Sequence, residues 1–136
     1  MSAEARKAVV ASYVEAFNAG DWPTLRRLFA SNATIRGVLG WGNIDEVAMP
    51  VWKELHDGLQ MKLAIDGLVA DGEAVAARFT ETGAFVGPFR GLAGLEPTGK
   101  SYELVAMEWF EFEDGLIARR WGARDSAAQR RMVTEG

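Results

Sequence analysis

The stretch from Lys100 to Asp125 limits the fold more than any other part of this 136-residue chain. It reads as two long antiparallel strands, Lys100 to Glu113 and Leu116 to Asp125, folded over Asp114-Gly115. An Asp-Gly pair suits a two-residue type I′ turn, in which glycine takes the positive φ at no steric cost. With that turn fixed, Glu113 faces Leu116, Phe112 faces Ile117, Phe110 faces Arg119, Glu108 faces Trp121 and Leu104 faces Asp125. One face then carries Tyr102, Leu104, Ala106, Glu108, Phe110 and Phe112 with Ile117, Arg119, Trp121, Ala123 and Asp125. Two acids are thus set into an apolar surface. A buried carboxylate is costly unless it is partnered or protonated, so Glu108 invites a functional reading. The alternative is a register slip or bulge that turns it to solvent. On this register Glu108 and Asp125 lie roughly 13 Å apart between Cα atoms, too far to share one proton and suited to a ligand between them.

The length fits one domain, residues 1–136, with a real core. A net charge of −4 offers no basic stripe for nucleic acid. The absence of cysteine excludes a disulfide scaffold and a thiolate nucleophile. The first residues, MSAEARKAVVASYV, interleave charges with alanines, unlike a signal peptide, and no stretch approaches a membrane span. A cytoplasmic protein that engages neither nucleic acid nor membrane is the expectation. With one histidine, His56, a zinc site needs mostly carboxylates, and none cluster at ligand spacing; neither metal nor cofactor is expected.

Ala3 to Asn18 has apolar residues at helical spacing (Val9, Val10, Tyr13, Val14, Phe17), with Ser2 as N-cap and Ala19-Gly20 as the stop. Tyr13 lies in that stripe. It is either a core tyrosine with a satisfied hydroxyl or a donor to a ligand. Asp21 caps a second short helix with Trp22-Pro23 in its first turn. A strand follows at Ala33 to Val38, then a helical stretch from Asn43 to Asp57 that Pro50 kinks or divides. His56 ends that stretch, where a histidine complements the helix dipole or faces a ligand. Strands resume at Met61 to Ala70 and Glu73 to Phe85, joined through Asp71-Gly72. The long loop Gly87 to Gly99 carries Phe89, Leu92 and Leu95, and reads as a flap over a pocket mouth or a loop packed at an interface.

The architecture expected is α+β: N-terminal helices packed on a curved, mostly antiparallel sheet, a cone-shaped α+β barrel with an interior. The other face of the long hairpin carries Val105, Met107 and Trp109, also apolar, and a homodimer through this outer face is expected to cover it.

The segment YVEAFNAGDWPTLRRLFASNATI, Tyr13 to Ile35, resembles the opening of the nuclear transport factor 2-like superfamily. The segment TGAFVGPFRGLAGLEPTGKSYELVAMEWFEFEDGLIARRWGARD is similar to SnoaL-like polyketide cyclases, with their Pro-Thr-Gly-Lys/Arg strand start, Phe-X-Asp-Gly-X-Ile hairpin and a tryptophan four residues before an aspartate. The resemblance implies the fold far more than the reaction. It places Asp125 at the acid/base aspartate of the cyclases, which limonene epoxide hydrolase uses as its base. It places Glu108 at the aspartate that ketosteroid isomerase keeps protonated to hydrogen-bond an oxyanion, and Tyr13 at the tyrosine sharing that task. Departures are also visible. Gly37 stands at the isomerase's proton-shuttling base and Phe85 at a cyclase histidine. Arg78 matches an arginine of the epoxide hydrolase, but Thr80 stands two residues on and Glu81 faces the other way.

The resulting expectation is an isomerase- or cyclase-type enzyme acting without cofactor on a hydrophobic cyclic or polyketide-like substrate. Asp125 moves the proton, while neutral Glu108 and Tyr13 bind the oxyanion. Trp121, Phe110, Phe85, Phe89, Arg78 and His56 are the candidate substrate-binding residues. Epoxide hydrolysis through Asp125 and Arg78, and a non-catalytic ligand-binding or dimerisation protein, are the alternatives.

Overall fold

Tyr13, Glu108 and the last strand of the chain meet because α1 is laid across the inside of a strongly curved sheet. The computed structural model describes residues 1–37 and 39–135. Helix α1 (Ala3–Ala19) starts where the Ser2 side chain accepts a hydrogen bond from the Ala5 N–H and stops at Gly20, whose φ of 69° only glycine adopts cheaply. Its buried stripe is Val10, Tyr13, Val14 and Phe17. Asn18 fastens the helix to β3 by a reciprocal pair of 2.9 Å bonds, its Nδ2 donating to the Leu63 carbonyl and its Oδ1 accepting from the Leu63 N–H.

Helix α2 (Trp22–Arg27), capped by Asp21, leads into β1 (Phe29–Gly37), which begins four residues before the strand expected from sequence. The expected end of that strand, Val38, lies outside the described residues. A short β2 (Gly40–Asn43) returns antiparallel to β1. The expected division at Pro50 is a change of helix type: a π-helical stretch Ile44–Ala48 passes into α3 (Met49–Gly58), and Pro50 sits in the first turn of α3, where no N–H is needed.

Strands β3 (Lys62–Asp71), β4 (Ala74–Ala84), β5 (Ser101–Glu113) and β6 (Leu116–Arg124) complete the sheet, in the order β2-β1-β6-β5-β4-β3. All neighbours are antiparallel except β1 and β6. The sheet is curved but open, so the domain is the expected α+β cone without a closed barrel. The β3–β4 loop is Gly72-Glu73, one residue on from the expected pair, with Gly72 supplying a φ of 58°. The β5–β6 turn is Asp114-Gly115, with φ of 52° and 81°, as a type I′ turn requires.

The register of β6 departs from expectation. Phe112 does face Ile117 and Glu113 faces Leu116, but a bulge follows, and Glu111 faces Arg119, Phe110 faces Arg120, Trp109 faces Trp121 and Glu108 faces Gly122. The extra residue, Ala118, reverses the alternation of everything after it. Glu108 therefore keeps its inward face, while Arg120, Gly122 and Arg124 turn inward and Arg119, Trp121 and Ala123 turn outward.

Two further elements complete the layout. The loop from Gly87 to Gly99 is tied down at its start: the Val86 and Gly87 N–H groups both donate to the Gly58 carbonyl, Arg90 is paired with Glu54, and Phe89 and Leu92 are buried. After β6 comes a helix, α4 (Ser126–Thr134), that the strand reading passed over. Among the described residues no helix is long and apolar enough to cross a membrane.

Candidate functional site

Among the described residues, two polar clusters set in the apolar core border one cavity. At the first, Glu108 of β5 shares the inward face with Phe110 of its own strand and Val75, Ala77 and Phe79 of β4. The Tyr13 hydroxyl donates to Glu108 Oε1 at 3.1 Å. Arg120 Nε lies 3.1 Å from the same oxygen, and both side chains of this ion pair are 7% exposed. The guanidinium also donates from Nη1 to the Arg36 carbonyl at 3.2 Å and rests 5.5 Å from the centroid of the Trp52 ring. Gly122 makes room for it: a Cβ there would stand 2.5 Å from Arg120 Nη1.

The Tyr13 ring is held edge-on against Phe29, Trp52 and Phe110, with centroids 5.4–5.9 Å apart. Burial first, and the neighbouring Glu108 charge second, push the Tyr13 phenol well above the ordinary tyrosine range, so it is a neutral donor. Burial opposes the charge of Arg120, but Glu108 and Tyr13 more than offset this and its guanidinium is held protonated.

The second polar place is built the same way from different strands. Glu81, at the end of the inward row of β4, is fully buried. Its Oε2 accepts from the Tyr102 hydroxyl at 2.6 Å and from Arg124 Nη2. Burial pushes the Glu81 carboxyl above the ordinary glutamate range, against the pull of Arg124 and Tyr102. The Tyr102 phenol is raised too, by burial and then by Glu81.

Between these two tyrosine–glutamate–arginine clusters lies a cavity of about 60 Å³, room for roughly four to six waters. Phe17, Ile35, Val51, Trp52, Leu55 and Met61 supply its apolar walls, and Tyr13, Glu81, Glu108, Arg120 and Arg124 its polar groups. Its lining sets carboxylates and arginines at fixed positions among apolar walls. Among the described residues no three His, Asp or Glu side chains are grouped to hold a metal ion.

A family model for the SnoaL-like domain matches residues 10–120. The chain belongs to the SnoaL-like domain family. No match to a curated protein was found. Among solved structures, the domain is similar to a candidate polyketide cyclase from Xanthomonas campestris pv. campestris (22% identity, TM-score 0.86, covering 97% of this chain and 98% of that one). It is also similar to IdmH, a candidate polyketide cyclase from Streptomyces antibioticus (25%, 0.80, 93% and 96%), and to AclR, a candidate hydroxylase from Streptomyces galilaeus (20%, 0.82, 94% and 94%).

In this SnoaL-like domain the residues singled out from sequence fall in different places. Tyr13 and Glu108 meet in the cavity. Glu108, expected to donate as a neutral acid, accepts from the Tyr13 hydroxyl and is ion-paired with Arg120. Asp125 is not among the cavity residues: it is exposed, and its side chain accepts from the Ala128 N–H at 2.9 Å as the N-cap of α4. Trp121 is on the outer face, 6.1 Å from the Trp41 ring, for the register reason given above. Arg78 is exposed on the outer face opposite Met107. Phe110 and Phe85 are core residues, Phe110 packing against Tyr13. Phe89 lines a separate pocket of about 230 Å³ beside α4. His56 packs edge-on between Phe17 and Trp22 and pairs with Asp57 at 2.9 Å, outside the cavity.

Sequence reading missed Arg120, Arg124, Glu81 and Trp52. A signal existed for Glu81: it shares the alternation of Val75, Ala77 and Phe79, which is an acid at the end of an apolar row. None existed for the two arginines, since their orientation depends on the bulge.

Proposed function

We propose that this SnoaL-like domain is a cofactor-independent enzyme of the isomerase or cyclase type, acting on a hydrophobic cyclic or polyketide-like substrate of which one ring enters the cavity. The observation that carries this reading is a carboxylate, Glu108, set in an apolar cavity and held by a neutral phenol and a guanidinium at one oxygen. Its other oxygen is left for the ligand. In that role Glu108 takes the proton from carbon next to a carbonyl and returns it elsewhere, and the Arg120 cation lowers the cost of negative charge on the carbonyl oxygen. Tyr13 fixes the carboxylate and donates throughout. The base role passes to Glu108 because Asp125 is engaged at the start of α4. Epoxide hydrolysis through Asp125 and Arg78 lacks such support, as Arg78 projects from the opposite side of the sheet.

The outer face is the surface for a second copy. Val105, Met107 and Trp109 are 56%, 53% and 43% exposed on one strand, and Trp121 and Trp41 extend the patch. The test of function is deuterium exchange into cyclic ketones and 1,3-dicarbonyls. Exchange that disappears in Glu108→Gln supports the reading. Exchange that is unchanged in that variant refutes the base, and silence across the panel favours a binding protein.

A further inference from the structure

The second cluster is not explained by packing. Glu81 is fully buried and its Oε1 has no hydrogen-bond partner among the described residues; the same holds for Arg124 Nε. An unmet buried acceptor costs on the order of 1–3 kcal/mol, more when charged, and an apolar residue at this position of β4 avoids the cost. Glu81 and Arg124 nevertheless both border the cavity that holds Glu108 and Arg120. Glu108 lies opposite Ala77, four residues before Glu81 on β4. The two glutamates therefore start from Cα atoms roughly 14 Å apart along the pleat, and their side chains flank the apolar middle of the cavity.

We propose that Glu81, with Arg124 and Tyr102 behind it, is a second polar subsite that binds a hydroxyl on the far side of the ligand's ring from the carbonyl handled at Glu108. A hydroxyl is the group the geometry favours because it both donates and accepts. It donates to Glu81 Oε1 when the carboxyl is ionised and accepts from it when the carboxyl is protonated. A second ligand carboxylate is repelled by the unpaired oxygen of Glu81 whenever that carboxyl is ionised. The ligand class is therefore an apolar ring with a ketone at one end and a phenol or alcohol at the other. The inference rests on the proposed use of the cavity as the ligand site, but not on Glu108 being the base.

The test compares acetophenone with 4-hydroxyacetophenone by calorimetry on the whole chain. The expected result is tighter binding of the hydroxylated ketone by on the order of ten-fold. In the double variant Glu81→Leu/Arg124→Leu, which leaves no charge unpaired, the ratio of the two affinities falls to about one. Methylating the probe, as 4-methoxyacetophenone, removes the donor without touching the protein, and its affinity returns to that of acetophenone. Equal affinities of the first two probes, binding of neither, or a preference that survives in the folded double variant or with the methyl ether overturns the proposal. Exchange at the probe's methyl group, followed in the same samples, tests Glu108 separately. A hydroxyl preference without exchange sinks the base and supports the subsite.

Discussion

Replacing Arg120 by methionine tests whether the Glu108 cluster is a coupled unit. The substitution keeps an unbranched apolar stem and removes three things: the 3.1 Å approach to Glu108, the bond from Nη1 to the Arg36 carbonyl and the cation over Trp52. What remains is a carboxylate, buried to all but 7% of its side chain, with Tyr13 as its single donor among the described residues. Breaking one side of a buried pair costs about 3–5 kcal/mol, mostly from the stranded charge. At about 3–5 °C per kcal/mol for a domain of this size, the melting temperature falls by roughly 10–20 °C. The double variant Arg120→Met/Glu108→Gln has no stranded charge and leaves Tyr13 an amide acceptor. It recovers most of the loss, to within about 1–2 kcal/mol of the parent. Urea and thermal melts of the parent, both single variants and the double variant complete the cycle. A cost below about 1 kcal/mol for Arg120→Met, or a double variant no more stable than that single one, refutes the coupling.

Asp125→Ala removes the N-cap of α4 and costs about 1 kcal/mol, with proton exchange unchanged; loss of exchange in a folded variant instead restores Asp125 as the base. Glu81→Gln changes the pH dependence of stability. An acid raised in the native state binds its proton more tightly folded than unfolded, so its contribution is complete below the ordinary glutamate value of 4.5 and declines as pH rises through the folded value. Melts across that interval are expected to be flatter in Glu81→Gln than in the parent, and parallel curves contradict the assignment. Met107→Lys places a charge in the middle of the outer apolar face and is expected to convert the proposed dimer to a monomer in sedimentation, with the far-ultraviolet spectrum preserved; a parent that sediments as a monomer refutes the dimer.

Much of the fold was legible because it rests on local chemistry. The caps at Ser2 and Asp21, the glycine stop at Gly20 and the Asp114-Gly115 turn each specify their conformation within four residues. The inward row of β5 followed from strict alternation anchored on that turn. The row on β6 did not, because alternation carries no mark of where a residue is inserted. One unpaired alanine exchanged Arg119, Trp121 and Asp125 for Arg120 and Arg124 as inward candidates. Asp125 was misplaced for a second reason: aspartate before Ser-Ala-Ala-Gln is also a helix start, and resemblance to a catalytic position overshadowed that local signal. Tyr13 and Glu108 were found because each breaks an apolar pattern that can be counted. Trp52 was missed as part of the site because it belongs to such a pattern and gains its role only from the arginine above it.

The parallel contact between β1 and β6 bears on how the domain is made. Thr34 pairs with Arg119 and Arg36 with Trp121, so this seam joins residues about eighty-five positions apart in sequence. Loop closure over such a distance is slow, and sheets dominated by remote pairings fold in the range of milliseconds to seconds. Arg120 lies on that seam, between β1 and β5, while Tyr13 comes from the first helix. During synthesis, nearly the whole chain must leave the ribosome before the Tyr13, Glu108 and Arg120 side chains can meet. The Glu108 cluster thus depends on that long-range seam, whereas Glu81, Tyr102 and Arg124 come from the adjacent strands β4, β5 and β6.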